Sequence, residues 1–142
     1  MTVQPMIQDD DRGRADIVPT TEPPEASGVH RDDAVRDLLR LLESNRRLQR
    51  TLADNAALCE ASLLALLDGV DPGALLDGID VARARLELAD SLAVFERARH
   101  RSRGTFIAAQ FRHGMNMKEI SRRWGISRQL AHRFFKESHR DA

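Results

Sequence analysis

The stretch MKEISRRWGISRQLAHRFFK, residues 117–136, decides how this chain is read. Ile120 and Trp124 stand four apart, on one face of a short helix. Asn116 precedes that helix and Glu119 follows three positions later, the pattern of an N-cap with its capping-box partner. Gly125 can take the left-handed conformation of a tight turn. Ile126 plugs the corner, and Ser127 caps a second helix from Arg128 to about Ser138 whose inner face is Ala131 and Phe134. Upstream, Phe106, Ile107 and Phe111 share one face of a helix over Thr105–His113, with Gly114 as its stop. The spacing predicts three short helices around one small core.

Charge sets this end of the chain apart. The formal net charge of zero is a cancellation. Residues 1–96 hold 19 acidic and 10 basic side chains, and residues 97–142 hold 3 acidic and 12 basic ones. An asymmetry of that size points to a polyanion-binding end and an acidic remainder. Four of the five histidines, His100, His113, His132 and His139, also lie in the basic part.

Residues 117–136 resemble the helix-turn-helix of bacterial DNA-binding proteins. That family places apolar residues where Ile120, Trp124, Ile126 and Phe134 stand, glycine at Gly125 and a modest apolar residue at Ala131. Ser121 occupies the helix-crossing position where alanine is commoner. With the Thr105–His113 helix, the unit is similar to the DNA-binding ends of sigma factors and resolvases. The resemblance covers about 20 residues closely and about 40 loosely, and does not extend to residues 1–96. It implies double-stranded DNA as partner, with the second helix in the major groove. Physical chemistry agrees, since such a turn sets one helix across the phosphates and presents the next to the groove. Arg128, Gln129, His132 and Arg133 are the expected base readers, because Gln pairs with adenine and Arg with guanine. Lys118, Arg122, Arg123, Ser127 and Lys136 are expected to meet phosphates.

The middle of the chain carries a different pattern. Val35, Leu38, Leu42, Asn45, Gln49, Leu52, Ala56, Cys59, Leu63 and Leu66 alternate steps of three and four, a heptad-like seam over about five heptads. A helix that long needs a partner helix. It should stop near Leu67–Gly69. Asp71-Pro72-Gly73 then starts a short turn through Leu76. After Gly78 a second helix follows. Ile79, Ala82, Leu86, Ala89 and Ala93 form one of its stripes, and Val81, Leu88, Leu92 and Phe95 another. The expected fold is all-α: a long helical hairpin, coiled-coil-like, followed by a C-terminal three-helix helix-turn-helix unit. Arg97–Arg103 links the two parts, and the helix either runs straight through it or breaks at Gly104. The expected domains are a disordered acidic tail over 1–29, a dimerising hairpin over 30–96 and a DNA-binding unit over 97–142. Surplus apolar surface on the hairpin suggests a homodimer. The alternative is an adaptor whose hairpin holds a protein partner, such as transcription machinery, with the basic unit as a non-specific DNA tether.

Other classes find little support. No apolar run approaches the ~18 residues of a membrane span, and Asp9, Asp10 and Asp11 argue against a secretory signal. The single cysteine, Cys59, excludes an internal disulfide framework, and no basic cluster surrounds it to activate a thiolate. His113, His132 and His139 lack metal-ligand spacing. No catalytic residues, metal or cofactor are expected, and the chain does not read as an enzyme. Arginine outnumbers lysine 20 to 2, a composition that suggests a bacterial, actinobacterial-type source. The expectation is a cytoplasmic, nucleoid-associated transcriptional regulator.

Overall fold

The computed structural model describes residues 24–140. Among them every regular element is a helix: α1 (Pro24–Leu67), α2 (Pro72–Asp77), α3 (Val81–Arg112), α4 (Met117–Trp124) and α5 (Arg128–Arg140). The all-α expectation holds, with a hairpin first and the shorter helices after it. α1 opens at Pro24, inside the segment expected to be a disordered tail; residues 1–23 lie outside the described residues. α1 ends at Leu67, where the pattern stopped. Asp71 caps α2 by accepting from Gly73 N–H and Ala74 N–H. Asp80 caps α3 by accepting from Arg83 N–H at 3.0 Å.

α1 and α3 run antiparallel. Asp37 meets Thr105 near one end, Thr51 meets Ser91 further along, and Arg47 pairs with Asp90 beside them. The stripe of α1 that turns toward α3 is Ala34, Asp37, Leu41, Ser44, Leu48, Thr51, Asn55, Leu58, Ser62 and Ala65, all buried or half-buried. Small and hydroxyl side chains alternate there with leucines. On α3 the matching positions are Ala84, Leu88, Ser91, Phe95, Ala98 and Ser102. The hydroxyls are satisfied within their own turn, as where Ser44 Oγ donates to Leu41 O, or across the hairpin, where Thr51 Oγ1 shares a 3.0 Å hydrogen bond with Ser91 Oγ.

This inner stripe is not the heptad seam read from the sequence. Every one of the ten seam residues, Val35 through Leu66, is exposed. Cys59, which the seam would bury, is exposed with them. Of the two stripes expected after Gly78, Ala82, Leu86, Ala89 and Ala93 are all exposed, Leu86 at 70%, while the other is divided: Leu88 and Phe95 are half-buried, and Val81 and Leu92 are exposed.

α3 passes through Arg97–Arg103 and Gly104 without a break. Arg and Ala are good helix formers, Ser102 and His100 cost only tenths of a kcal/mol, and one glycine costs only ~1 kcal/mol there. The helix expected at Thr105–His113 is therefore the last quarter of α3, with His113 as its C-cap, and the boundary placed at residue 97 falls inside a continuous helix. Against this end of α3, α4 and α5 close a core of Ile107, Ile120, Ala131 and Phe134. Met115, Met117, Trp124, Ile126, Leu130 and Phe135 pack around it. Among the described residues, no helix is long and apolar enough to cross a membrane.

Candidate nucleic-acid interface

The turn between α4 and α5 is fixed by its backbone. Asn116 Oδ1 accepts from Glu119 N–H at 2.9 Å, one arm of the expected capping box. Gly125 sits at φ 63°, ψ 34°, left-handed values that a side chain rarely adopts. This lets Ile126 N–H reach back to Ser121 O at 3.0 Å and end α4. Ser127 Oγ accepts from Leu130 N–H at 3.1 Å and starts α5. Its own O–H can still be donated outward. Ser121, where alanine would be commoner, is buried, and its hydroxyl donates to Lys118 O at 2.9 Å. A buried hydroxyl thus costs little at the helix crossing, because its hydrogen bond is made inside the preceding turn.

The aromatic residues hold the three helices together. Trp124 Nε1–H donates to Gln110 Oε1 at 2.7 Å, tying α4 to α3. The Phe134 ring lies 4.6 Å from the His100 ring and 5.1 Å below the Arg103 guanidinium. His100 Nε2 and Glu137 Oε2 are 2.6 Å apart, a second tie between α3 and α5. Phe135 packs on Phe111 of α3, with ring centroids 4.6 Å apart, and on His139. These contacts clamp the inner face of α5 to α3.

The outer face is what remains. Arg128, Gln129, His132, Arg133 and Lys136 are all exposed, and at 100° per residue they fan over an arc of about 140°. Lys118, Arg122, Arg123 and Ser127 are exposed beside them. All nine expected contact residues therefore lie on the surface of the head, opposite its core.

The antiparallel hairpin adds charge that the linear reading assigned to an acidic remainder. The first half of α1 comes back beside the head. Residues 31–50 hold Arg31, Arg36, Arg40, Arg46, Arg47 and Arg50 against four acids. Residues 97–140 hold 12 basic and 2 acidic side chains. The far half of the hairpin, residues 51–96, holds nine acids against Arg83 and Arg85. Folding sorts the molecule into a basic head end and an acidic tip. That Arg31–Arg50 lie toward the head follows only from the pairing of α1 with α3, and a charge taken over residues 1–96 as a whole hides their surplus. Between α1, α3 and α5 lies an open cleft of about 1010 Å³ whose walls include Arg36, Arg40, Arg97 and Arg101 as well as Asp33 and Glu137.

The chain matches no known family model, no characterised protein and no solved structure. The geometry of the head and its charge are thus the basis for a functional reading. Among the described residues, no group of three or more His, Cys, Asp or Glu side chains could hold a metal ion.

Proposed function

We propose that this chain is a sequence-specific double-stranded DNA-binding regulator of the helix-turn-helix type, acting as a homodimer through its hairpin. α5 enters the major groove, with Arg128, Gln129, His132 and Arg133 at base edges. Lys118, Arg122, Arg123, Ser127 and Lys136 hold the phosphates on either side. The observation that carries this reading is the division of α4 and α5 into two faces. Their inner residues build one core with α3, and their exposed residues are basic or amide-bearing apart from Glu119 in the first turn of α4. A capped two-helix turn with that outer face has the shape and charge that a major groove accepts. The acidic tip supports a polar approach, since a DNA surface attracts the head and repels the far end of the hairpin.

Selection of binding sites from random duplex DNA tests the reading. A palindromic consensus is expected, with half-sites ~34 Å or a multiple apart. Recovery of duplexes without any shared sequence would favour the adaptor reading, in which the head is a non-specific tether and the bare apolar face of α1 holds a different protein.

A further inference from the structure

We propose that a second copy of this chain docks on the outward seam of α1, with the two α1 helices parallel and in register. The inference rests on the homodimer proposed above and not on DNA binding. α1 carries two heptad stripes side by side. One is filled by α3. The other, Val35 to Leu66, is bare, and its Val35, Leu38, Leu42, Leu52, Leu63 and Leu66 stand 42–57% exposed. The strip is about 46 Å long at 1.5 Å per residue and about 10 Å wide. A patch on the order of 500 Å² is already near the largest that monomers leave exposed. Two copies would cover on the order of 1,000 Å², the size at which specific interfaces begin.

The two polar residues of the seam identify both the occupant and its direction. In a parallel in-register pair each position faces its own copy. Asn45 then meets Asn45, and Gln49 meets Gln49. A carboxamide has both donors and an acceptor, so each such pair can satisfy itself. An antiparallel pair that covers the whole seam sets Val35 against Leu66. That register places Asn45 opposite Ala56 and Gln49 opposite Leu52, leaving both amides facing apolar groups, an arrangement that costs stability. An unrelated partner would have to supply matching amides at the same height. Flanking positions add no repulsion to the parallel pair: Arg46 falls beside Leu41 of the second copy, and Glu60 beside Asn55. The parallel arrangement also keeps both basic heads at one end.

Cys59 makes this testable in the natural sequence. It is the one cysteine of the chain, it lies in the seam and it is exposed. In the parallel pair the two Cys59 residues face each other, within the ~4.4–6.8 Å Cα separation that a disulfide spans. In the antiparallel pair Cys59 faces Leu42, and the two thiols stand about 25 Å apart. The full chain, without DNA, is sedimented under reducing conditions at micromolar concentration. It is then oxidised mildly with a copper–phenanthroline complex, which takes up the two electrons as two thiols lose two protons. Expected are a dimer of the reduced protein and near-complete Cys59–Cys59 cross-linking. Leu63→Asp, on the exposed seam, should keep the helicity and melting of the head, become monomeric and lose cross-linking at least tenfold. A monomer at tens of micromolar would overturn the dimer. A wild-type dimer that resists cross-linking, while Leu42→Cys joins Cys59 of the other copy, would overturn the parallel direction. A dimer unaffected by Leu63→Asp would overturn the seam. Because no DNA is present, each failure leaves the base-reading proposal standing on its own test.

Discussion

Thr105 Oγ1 donates to Asp37 Oδ2 at 2.6 Å, joining residues 68 positions apart across the hairpin. Asp37 is 8% exposed, and its other carboxylate oxygen lies 3.5 Å from Arg40 Nη1. Thr105 stands where α3 enters the head, so the bond couples the first half of α1 to the three-helix core. Thr105→Val preserves shape and removes the donor. It should cost about 1–3 kcal/mol, the penalty of leaving a buried acceptor short of a partner. Thermal unfolding measures it, and the head and hairpin should melt together at the lower temperature. A Thr105→Val protein that melts like the wild type would show that the bond contributes nothing.

Gly104 offers the opposite case. It is buried inside α3, and a Cβ added there would stand 3.5 Å from Phe134 O and 3.7 Å from Ser138 Cβ. Both are ordinary van der Waals contacts. Glycine in a helix interior is worse than alanine by roughly 0.5–1 kcal/mol. Gly104→Ala should therefore stabilise the protein by about that amount in denaturant titration. Gly104→Leu should destabilise it, because a longer side chain would run into α5. Loss of stability in the alanine variant would mean that α3 and α5 need a closer approach than these distances indicate.

The head was legible in the sequence because its signals are local. Asn116, Gly125, Ser127 and the spacing of Ile120, Trp124, Ala131 and Phe134 each act within a turn or two, and each stands where expected. The hairpin contact was not legible in the same way. Hydrophobic periodicity selects the richest apolar stripe of α1, whereas the stripe against α3 contains Asp37, Ser44, Thr51, Asn55 and Ser62. Small polar residues let two helices approach while bonding within their own turn or across to one hydroxyl, and no hydropathy pattern reports that. Continuity of α3 was equally hidden. A lone glycine weakens a helix by about 1 kcal/mol, and whether it breaks depends on packing from distant residues such as Asp37 and Phe134. The basic contribution of Arg31–Arg50 emerged only once the antiparallel pairing was known.

Affinity for DNA should fall steeply with salt. Arg122 and Arg123 are exposed at the end of α4, placed to meet phosphates in the proposed complex. Each phosphate contact contributes about 0.9 to the slope of log K against log salt. Arg122→Ala and Arg123→Ala should each flatten the slope by about one unit and weaken all duplexes to a similar degree. Fluorescence anisotropy at several salt concentrations checks this. A slope near zero in the wild-type protein would remove the electrostatic part of the proposal.

Gln129 and Arg133 should behave differently from those arginines. They are four apart on the exposed arc of α5, so their side chains project in nearly the same direction, about one helical turn apart. Both can form bidentate bonds, Gln with adenine and Arg with guanine, and each such bond discriminates against a wrong base by ~1–3 kcal/mol. Gln129→Ala and Arg133→Ala should therefore lose that much on the selected site and clearly less on random duplex, compressing the specificity ratio. Arg128→Ala and His132→Ala should show a weaker form of the same pattern. Equal losses on both kinds of DNA would move Gln129 and Arg133 to the phosphate-contacting set. Ile126→Asp separates reading from folding. Ile126 packs against the Ile107–Ile120–Ala131–Phe134 core, and a carboxylate there would be desolvated without a partner. That variant should lose helicity and binding together, whereas Gln129→Ala should keep the wild-type circular dichroism spectrum and melting temperature. If Gln129→Ala also loses helicity, its binding defect reports a damaged head and says nothing about base reading.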